Sequence, residues 1–190
     1  ASTNVFIATG CHTGTPEIFL SSTKPVNSLA DLKGFKYRSA GDDGTVFAQM
    51  GAAVVSVPPG EVYESVKRGV LDGFQLSSPA GDVSYSVYEV VKYAYLSPMR
   101  NPTDYHNLFI NKKSWAAVPD DLKGILISAA EQELWNYIAL TIVDDAKALE
   151  LYKQKGVNVA PIPKDIESEL IKLANKMYAD RAAKDPVYNQ

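Results

Sequence analysis

Few side chains in this sequence could carry out chemistry, and their spacing limits what each could do. Cys11 and His12 are adjacent, so in an extended segment they point to opposite faces and could not work as a thiol and its base. Cys11 therefore reads as a small, half-buried thiol, while His12 and His106 retain the capacity to move protons. Asp42-Asp43 before Gly44 could hold a cation through oxygen ligands, although acidic residues at such a place more often cap a helix. Phosphate-binding glycine loops, a Gly-x-Ser-x-Gly elbow and paired zinc-ligating histidines are all missing. One cysteine rules out an internal disulfide and a zinc site built from several thiolates.

Arg38 stands apart from these. It ends an apolar run, Phe35-Lys36-Tyr37-Arg38, just before Ser39-Ala40-Gly41. In open α/β sheets ligands bind in the crevice beyond such strand ends, and a guanidinium is the side chain that grips a carboxylate with two parallel bonds. A surface ion pair is the plainer alternative. The aromatic series Tyr85, Tyr88, Tyr93 and Tyr95, with Trp115 and Trp135, reads as core or interface packing before it reads as the lining of a cleft.

The elements that must position these groups are short. Candidate strands lie at residues 5–8, 35–38, 54–57, 73–76, 91–95 and 107–110. Helical patterns occupy residues 28–32, 44–50, 61–68 and 78–90, and this alternation predicts an α/β fold with a mostly parallel sheet. Residues 120–155 carry an apolar stripe through Leu122, Ile125, Leu126, Ala129, Leu134, Ile138, Ile142 and Leu149, with Gly124 as the one glycine. A single helix of that size spans about 50 Å, longer than a domain of this size is wide, so it must project or brace a second lobe. Gly156 should end it, residues 157–161 read as a connecting strand, and residues 163–184 read as a final amphipathic helix.

The 190 residues, 46% hydrophobic and 22% charged, are those of a folded globular chain. With 19 Lys and Arg against 22 Asp and Glu, the net charge is −3, which supplies no reason to seek nucleic acid or an anionic membrane. No run approaches the roughly 20 apolar residues of a membrane helix. Ala1-Ser2-Thr3-Asn4 lacks the regions of a signal peptide, so the chain reads as cytosolic, or as a mature or truncated form.

Several linked segments carry a family resemblance: residues 24–38 with Lys24-Pro25 and Leu29-Ala30-Asp31-Leu32-Lys33-Gly34, then Met50-Gly51-Ala52, Pro59-Gly60-Glu61-Val62-Tyr63, Gly69-Val70-Leu71-Asp72-Gly73 and Asn111-Lys112-Lys113-Ser114-Trp115. In this order they resemble the solute-binding protein (DctP-like family) of a tripartite ATP-independent periplasmic (TRAP) transporter, and the similarity runs over essentially the whole chain. The resemblance implies a type II periplasmic-binding-protein lobe. Residues 1–118 would form the second-lobe ligand-binding domain, 119–156 the interlobe helix and 157–190 a connecting strand and C-terminal helix, with an N-terminal lobe missing. It implies a periplasmic protein, its signal peptide removed, that captures a small organic acid (2-oxo, 2-hydroxy or similar) and delivers it to membrane permease subunits without inserting in the membrane.

Arg38 coincides with the family's carboxylate-binding arginine, and Gln75 falls where many members have Glu or Gln after the Asp-Gly pair. The pattern then departs from the family: Leu76 replaces the aromatic residue of the 2-oxo-acid binders, although the spacing to Pro79 is theirs. By the same resemblance Glu17 joins the substrate site, and Glu17, Gln75 and Asp104 would hold a bridging sodium or calcium ion, with Asn101 the alternative to Asp104. No cofactor is required. The rival reading is a carboxylate-processing enzyme in which Arg38 orients the substrate and His12 or His106 transfers protons. Half of a clamshell would also leave an apolar interface wet, so the chain is expected to self-associate.

Overall fold

The computed structural model describes residues 4–12, 16–39, 41–99 and 105–185. Its strands are β1 (Val5–His12), β2 (Leu20–Ser22), β3 (Lys36–Arg38), β4 (Ala53–Val55), β5 (Gly73–Phe74), β6 (Tyr93–Leu96), β7 (Tyr105–Asn111) and β8 (Asn158–Pro161). The helices are α1 (Gly41–Gln49), α2 (Val62–Lys67), α3 (Pro79–Ser84), α4 (Lys112–Ala117), α5 (Asp120–Gln154) and α6 (Lys164–Ala182). Six strands form one sheet in the order β4-β3-β5-β2-β6-β8, and β1 pairs with β7 as a separate antiparallel ribbon.

The sheet is mixed and mostly parallel, as the strand and helix alternation predicts. β3 runs parallel to β4 and β5, and β6 parallel to β8, whereas β2 lies antiparallel to both neighbours. β2 is an element that periodicity does not reveal, because three residues ending in Ser21-Ser22 carry neither a run nor an alternation. Its pairing comes from position between β5 and β6, and all three of its residues are buried.

Alternation along the strands separates two cores. Tyr95 on β6 joins a cluster with Phe19, Leu20, Phe35, Tyr37, Phe47, Ile166 and Leu170, while the adjacent Ala94 joins Ile18, Val62, Leu71, Phe74, Val87 and Tyr152. A period of two puts neighbours on opposite faces, so α1 and α6 cover one face and α2, α3 and the end of α5 the other. Gly73 shows how tight the sheet is, since a Cβ there would lie 2.5 Å from the Ser21 carbonyl oxygen and 2.8 Å from the Phe35 ring.

The expected helix at 78–90 is two pieces. Ser86 adopts φ 55°, ψ 20°, a left-handed conformation that ends α3, and a 3-10 turn follows at Val87–Glu89. The turn buries Val87 completely, which a straight helix would carry elsewhere. The long helix, by contrast, is a single element of 35 residues. Lys155 is its C-cap and Gly156 follows with φ +80°, the left-handed stop that a glycine makes without strain.

Candidate functional site

The two antiparallel pairings of β2 bring several chain segments to one edge of the sheet. The C-terminal ends of β3, β5 and β6 meet the N-terminal end of β2 there, so Arg38, Gln75, Leu76, Met99 and Glu17 converge although they are far apart in sequence. They line one cleft of about 690 Å³ together with Asp42 and Asp43 at the start of α1 and one side of α6. The crevice beyond the carboxyl ends of parallel strands is where such folds bind ligands.

Arg38 is only 7% exposed, and its guanidinium is held from two sides. Nε donates to the Val57 carbonyl at 2.9 Å and Nη1 to the Gln75 carbonyl at 2.5 Å. The backbone N–H of Gln75 in turn donates to the Arg38 carbonyl at 3.0 Å. Nη2 has no hydrogen-bond partner among the described residues, which leaves one arm of the fork for an acceptor in the cleft. Both fixed contacts are to neutral carbonyls, so neither brings a counter-charge to the guanidinium. The Gln75 amide Nε2 donates to Glu17 Oε2, which orients the two side chains against each other.

Asp42 and Asp43, expected as helix caps, occupy the first turn of α1 and have partners of their own. Asp42 takes two bonds from Arg181 of α6, at 2.6 and 2.5 Å, and this contact holds its carboxyl below the usual carboxylate range. Asp43 accepts from the Tyr37 hydroxyl at 3.0 Å and from the Ser39 hydroxyl. Neither is arranged as a metal site, and among the described residues no group of three or more His, Cys, Asp or Glu side chains could hold a metal ion. Asp104 and Asn101 lie outside the described residues, as do the side chains of Cys11, His12 and His106.

A second group of acids lies where α3 packs on α5. Asp145 on α5 accepts from the Ala80 N–H at 2.7 Å, and Asp82 and Tyr152 are 0% exposed. Neither Asp82 carboxyl oxygen has a partner at normal hydrogen-bond geometry, nor does the Tyr152 hydroxyl. Burial pushes the Asp82 carboxyl well above the ordinary range; the Ser77 N–H and Arg38 oppose the rise, and Glu17 and Asp145 add to it. No spacing rule marks Asp82 in the sequence.

The chain matches the family model for bacterial extracellular solute-binding protein, family 7, over residues 8–185, and it belongs to that family. A monocarboxylate 2-oxoacid-binding periplasmic protein of Nostoc sp. is 25% identical over 169 residues, covering 88% of this chain and 46% of the relative. A TRAP periplasmic solute-binding protein from Colwellia psychrerythraea, solved with bound calcium and pyruvate, superposes with a TM-score of 0.86 at 24% identity over 97% of this chain and 56% of that one. A Bordetella pertussis extracytoplasmic solute receptor binding pyroglutamic acid gives 0.83 at 22% identity, covering 98% and 64%. The chain thus spans about half the length of the relatives it matches. These superpositions establish the type II α/β fold with its long helix. No helix among the described residues is long and apolar enough to cross a membrane.

Proposed function

We propose that this chain is the Arg38-bearing lobe of a periplasmic solute-binding protein that captures a small organic acid and passes it to the permease subunits of a TRAP transporter. The observation that carries the reading is the Arg38 guanidinium, fixed by two carbonyls through Nε and Nη1 in the lining of the cleft. Gln75, Glu17 and Leu76 share that cleft and complete the ligand's surroundings. Relatives named for 2-oxoacid, pyruvate and pyroglutamate binding support a carboxylate as the ligand class.

The site binds its ligand and does not convert it. The family is one of solute-binding proteins, and the three carboxylates of the described lining are already engaged, Glu17 by the Gln75 amide and the two aspartates by Arg181, Tyr37 and Ser39. A hard cation fits the donor set in part. Glu17 and the Gln75 amide oxygen are the oxygen donors that sodium and calcium prefer, and they would hold such an ion with the remaining ligands coming from the acid and from the region of Asp104. The ion would neutralise the repulsion between Glu17 and the ligand's carboxylate.

A second lobe would close on the cleft and rest on the β1–β7 ribbon and the first part of α5, where Ile7, Phe109, Ile125 and Leu140 are exposed. On this reading residues 1–118, 119–156 and 157–190 are the ligand-binding domain, the interlobe helix and the closing strand and helix. Alone, the chain self-associates through the same apolar surface, and sedimentation as a clean monomer would contradict that. In a protein carrying both lobes, Arg38→Ala should weaken 2-oxo-acid binding by about 30-fold or more, since truncating one partner of a buried charge pair costs roughly 2–5 kcal/mol. Arg38→Lys should also bind worse, because it keeps the charge without the planar fork. Calorimetry giving an Arg38→Ala affinity within two- or threefold of wild type, with circular dichroism unchanged, would refute the placement of the site.

A further inference from the structure

A second cavity lies on the α5 side of the sheet, whereas α1 and α6 bound the acid cleft. Its volume is about 630 Å³, within the roughly 300–1,000 Å³ of small-molecule sites. Ile142, Asp145 and Leu149 of α5 form one side of it, and Leu96 and Val159 at the β6–β8 edge form another. The three helix residues recur at spacings of three and four, so they make one stripe, next to the stripe that Ala148 and Tyr152 bury.

Three stretches of chain connect the six-stranded sheet to the β1–β7 ribbon, and all three contribute to this cavity. Pro16-Glu17 lies between β1 and β2, Ser97-Pro98 lies between β6 and β7, and α5 is the third. The walls therefore come from segments far apart in sequence, unlike a groove along one helix.

The polar side chains of the described lining are engaged, except at one atom. Glu17 accepts from Gln75 Nε2, Ser97 donates to Glu167, and Lys153 pairs with Glu150 at 3.8 Å. Asp145 is 5% exposed, and its Oδ1 accepts from the Ala80 N–H at 2.7 Å. Its Oδ2 is buried with no hydrogen-bond partner among the described residues, so no described Lys or Arg reaches that oxygen. An unmatched buried carboxylate oxygen is costly, and a donor arriving in the cavity would remove that cost. A charged N–H donor bonds a carboxylate about twice as strongly as a neutral one does. The rest of the lining is mostly apolar, which suits a hydrocarbon body behind that donor.

We propose that this cavity is a second binding site, for a small primary ammonium ion with an apolar body. The ammonium group donates to Asp145 Oδ2, and Leu96, Ile142, Leu149 and Val159 surround the hydrocarbon. The site shares Glu17 with the acid cleft but uses neither Arg38 nor a ligand carboxylate, so it stands or falls independently of the carboxylate-binding reading.

The test is an NMR titration of a protein carrying both lobes, with cyclohexylamine and cyclohexanol as probes that differ only in the head group. At neutral pH cyclohexylamine should shift the Ala80, Leu149 and Val159 amide signals saturably. It should bind about tenfold tighter than cyclohexanol, the scale of a hydrogen bond to a charged group. Asp145→Asn keeps an acceptor for the Ala80 N–H and should bring the two probes to within about twofold of each other. Ala146→Phe, at an exposed position of the lining, should fill the cavity and weaken cyclohexylamine by about tenfold or more; it serves alone if Asp145→Asn does not fold. Arg38→Ala should leave cyclohexylamine binding within about twofold of wild type. Amine binding lost with Arg38→Ala, or shifts centred on Leu76 and Asn175, would put the amine in the acid cleft and overturn the proposal. Equal affinity of the two probes in wild type, as when water alone satisfies Asp145, overturns it too, as does the absence of any saturable shift, the result if the second lobe covers the cavity.

Discussion

The two ends of α5 live in different surroundings. Over its last third Asp145, Ala148 and Tyr152 are buried against α3 and the sheet, whereas Leu122, Ile125, Trp135 and Leu140 in the earlier part are all exposed, Trp135 at 68%. The same contrast separates the six-stranded sheet, covered on both faces, from the β1–β7 ribbon, which packs Phe6 on Trp115 with centroids 4.9 Å apart yet leaves Phe109 exposed. Backbone hydrogen bonds run within a helix, so α5 can stay continuous through both environments. Burial needs partners, and among the described residues the last third of α5 is packed by α3 and β8 while the earlier part meets only the thin β1–β7 ribbon. An apolar stripe in a sequence therefore identifies a helix and a face, and the rest of the fold determines what that face meets.

Truncation at the buried end should produce the largest effect. Tyr152→Ala should cost about 3–5 kcal/mol, as for other large buried rings, measured by urea unfolding. Tyr152→Phe should be neutral or slightly stabilising, because the hydroxyl it removes is buried without a partner. A Tyr152→Ala cost below about 1 kcal/mol would mean that this end is as loosely packed as the other.

Next in size is Gly73→Ala in the sheet. The added methyl must displace the Ser21 backbone or the Phe35 ring, an overpacking cost of about 1–3 kcal/mol, read as a lower midpoint at unchanged slope. A wild-type midpoint would show that β2 and β5 have room to separate.

Asp82 distinguishes the two regions through pH. Its carboxyl is raised by burial, so the folded state keeps a proton that the unfolded chain has lost. Stability should fall as pH rises above the ordinary aspartate range, by about 1.4 kcal/mol per pH unit, until Asp82 ionises in the folded protein. Asp82→Asn should remove that slope. Thermal midpoints measured from about pH 5 to about pH 8 that run parallel for wild type and variant would show that Asp82 ionises as easily folded as unfolded.

The smallest effect belongs to the open end. In solution dilute enough to keep the chain monomeric, Trp135→Ala should change stability by no more than about 0.5 kcal/mol, as for surface positions, and Trp135 should be freely quenched by acrylamide. A cost comparable to Tyr152→Ala would mean that the exposed stripe is already covered, most simply by a second copy of this chain.

Much of this molecule was legible before its fold was known. The 3.6-residue stripe and Gly156 bounded α5 to within a residue, and the apolar run ending at Arg38 placed that side chain at a strand end, because both signals are local in the chain. Ser86 was not legible: nothing in its neighbours announces a left-handed turn inside an otherwise helical pattern. β2 was not legible either, since three residues hold too little pattern to separate a strand from a loop.

What the sequence by itself determined is the set of local elements and the chemical types available, including a single strand-end arginine and a helix too long for one lobe. Only the tertiary structure decided that Glu17, Arg38, Gln75 and Leu76 share a cleft, that residues of α6 line it, and that Asp82 of α3 is sealed where that helix packs on α5. The physical reason is range. Periodicity, caps and glycine stops act over a few residues, whereas the antiparallel insertion of β2 between β5 and β6, which gathers the site at one sheet edge, depends on pairings across more than fifty residues of chain, from Ser21 to Phe74 and from Leu20 to Tyr95.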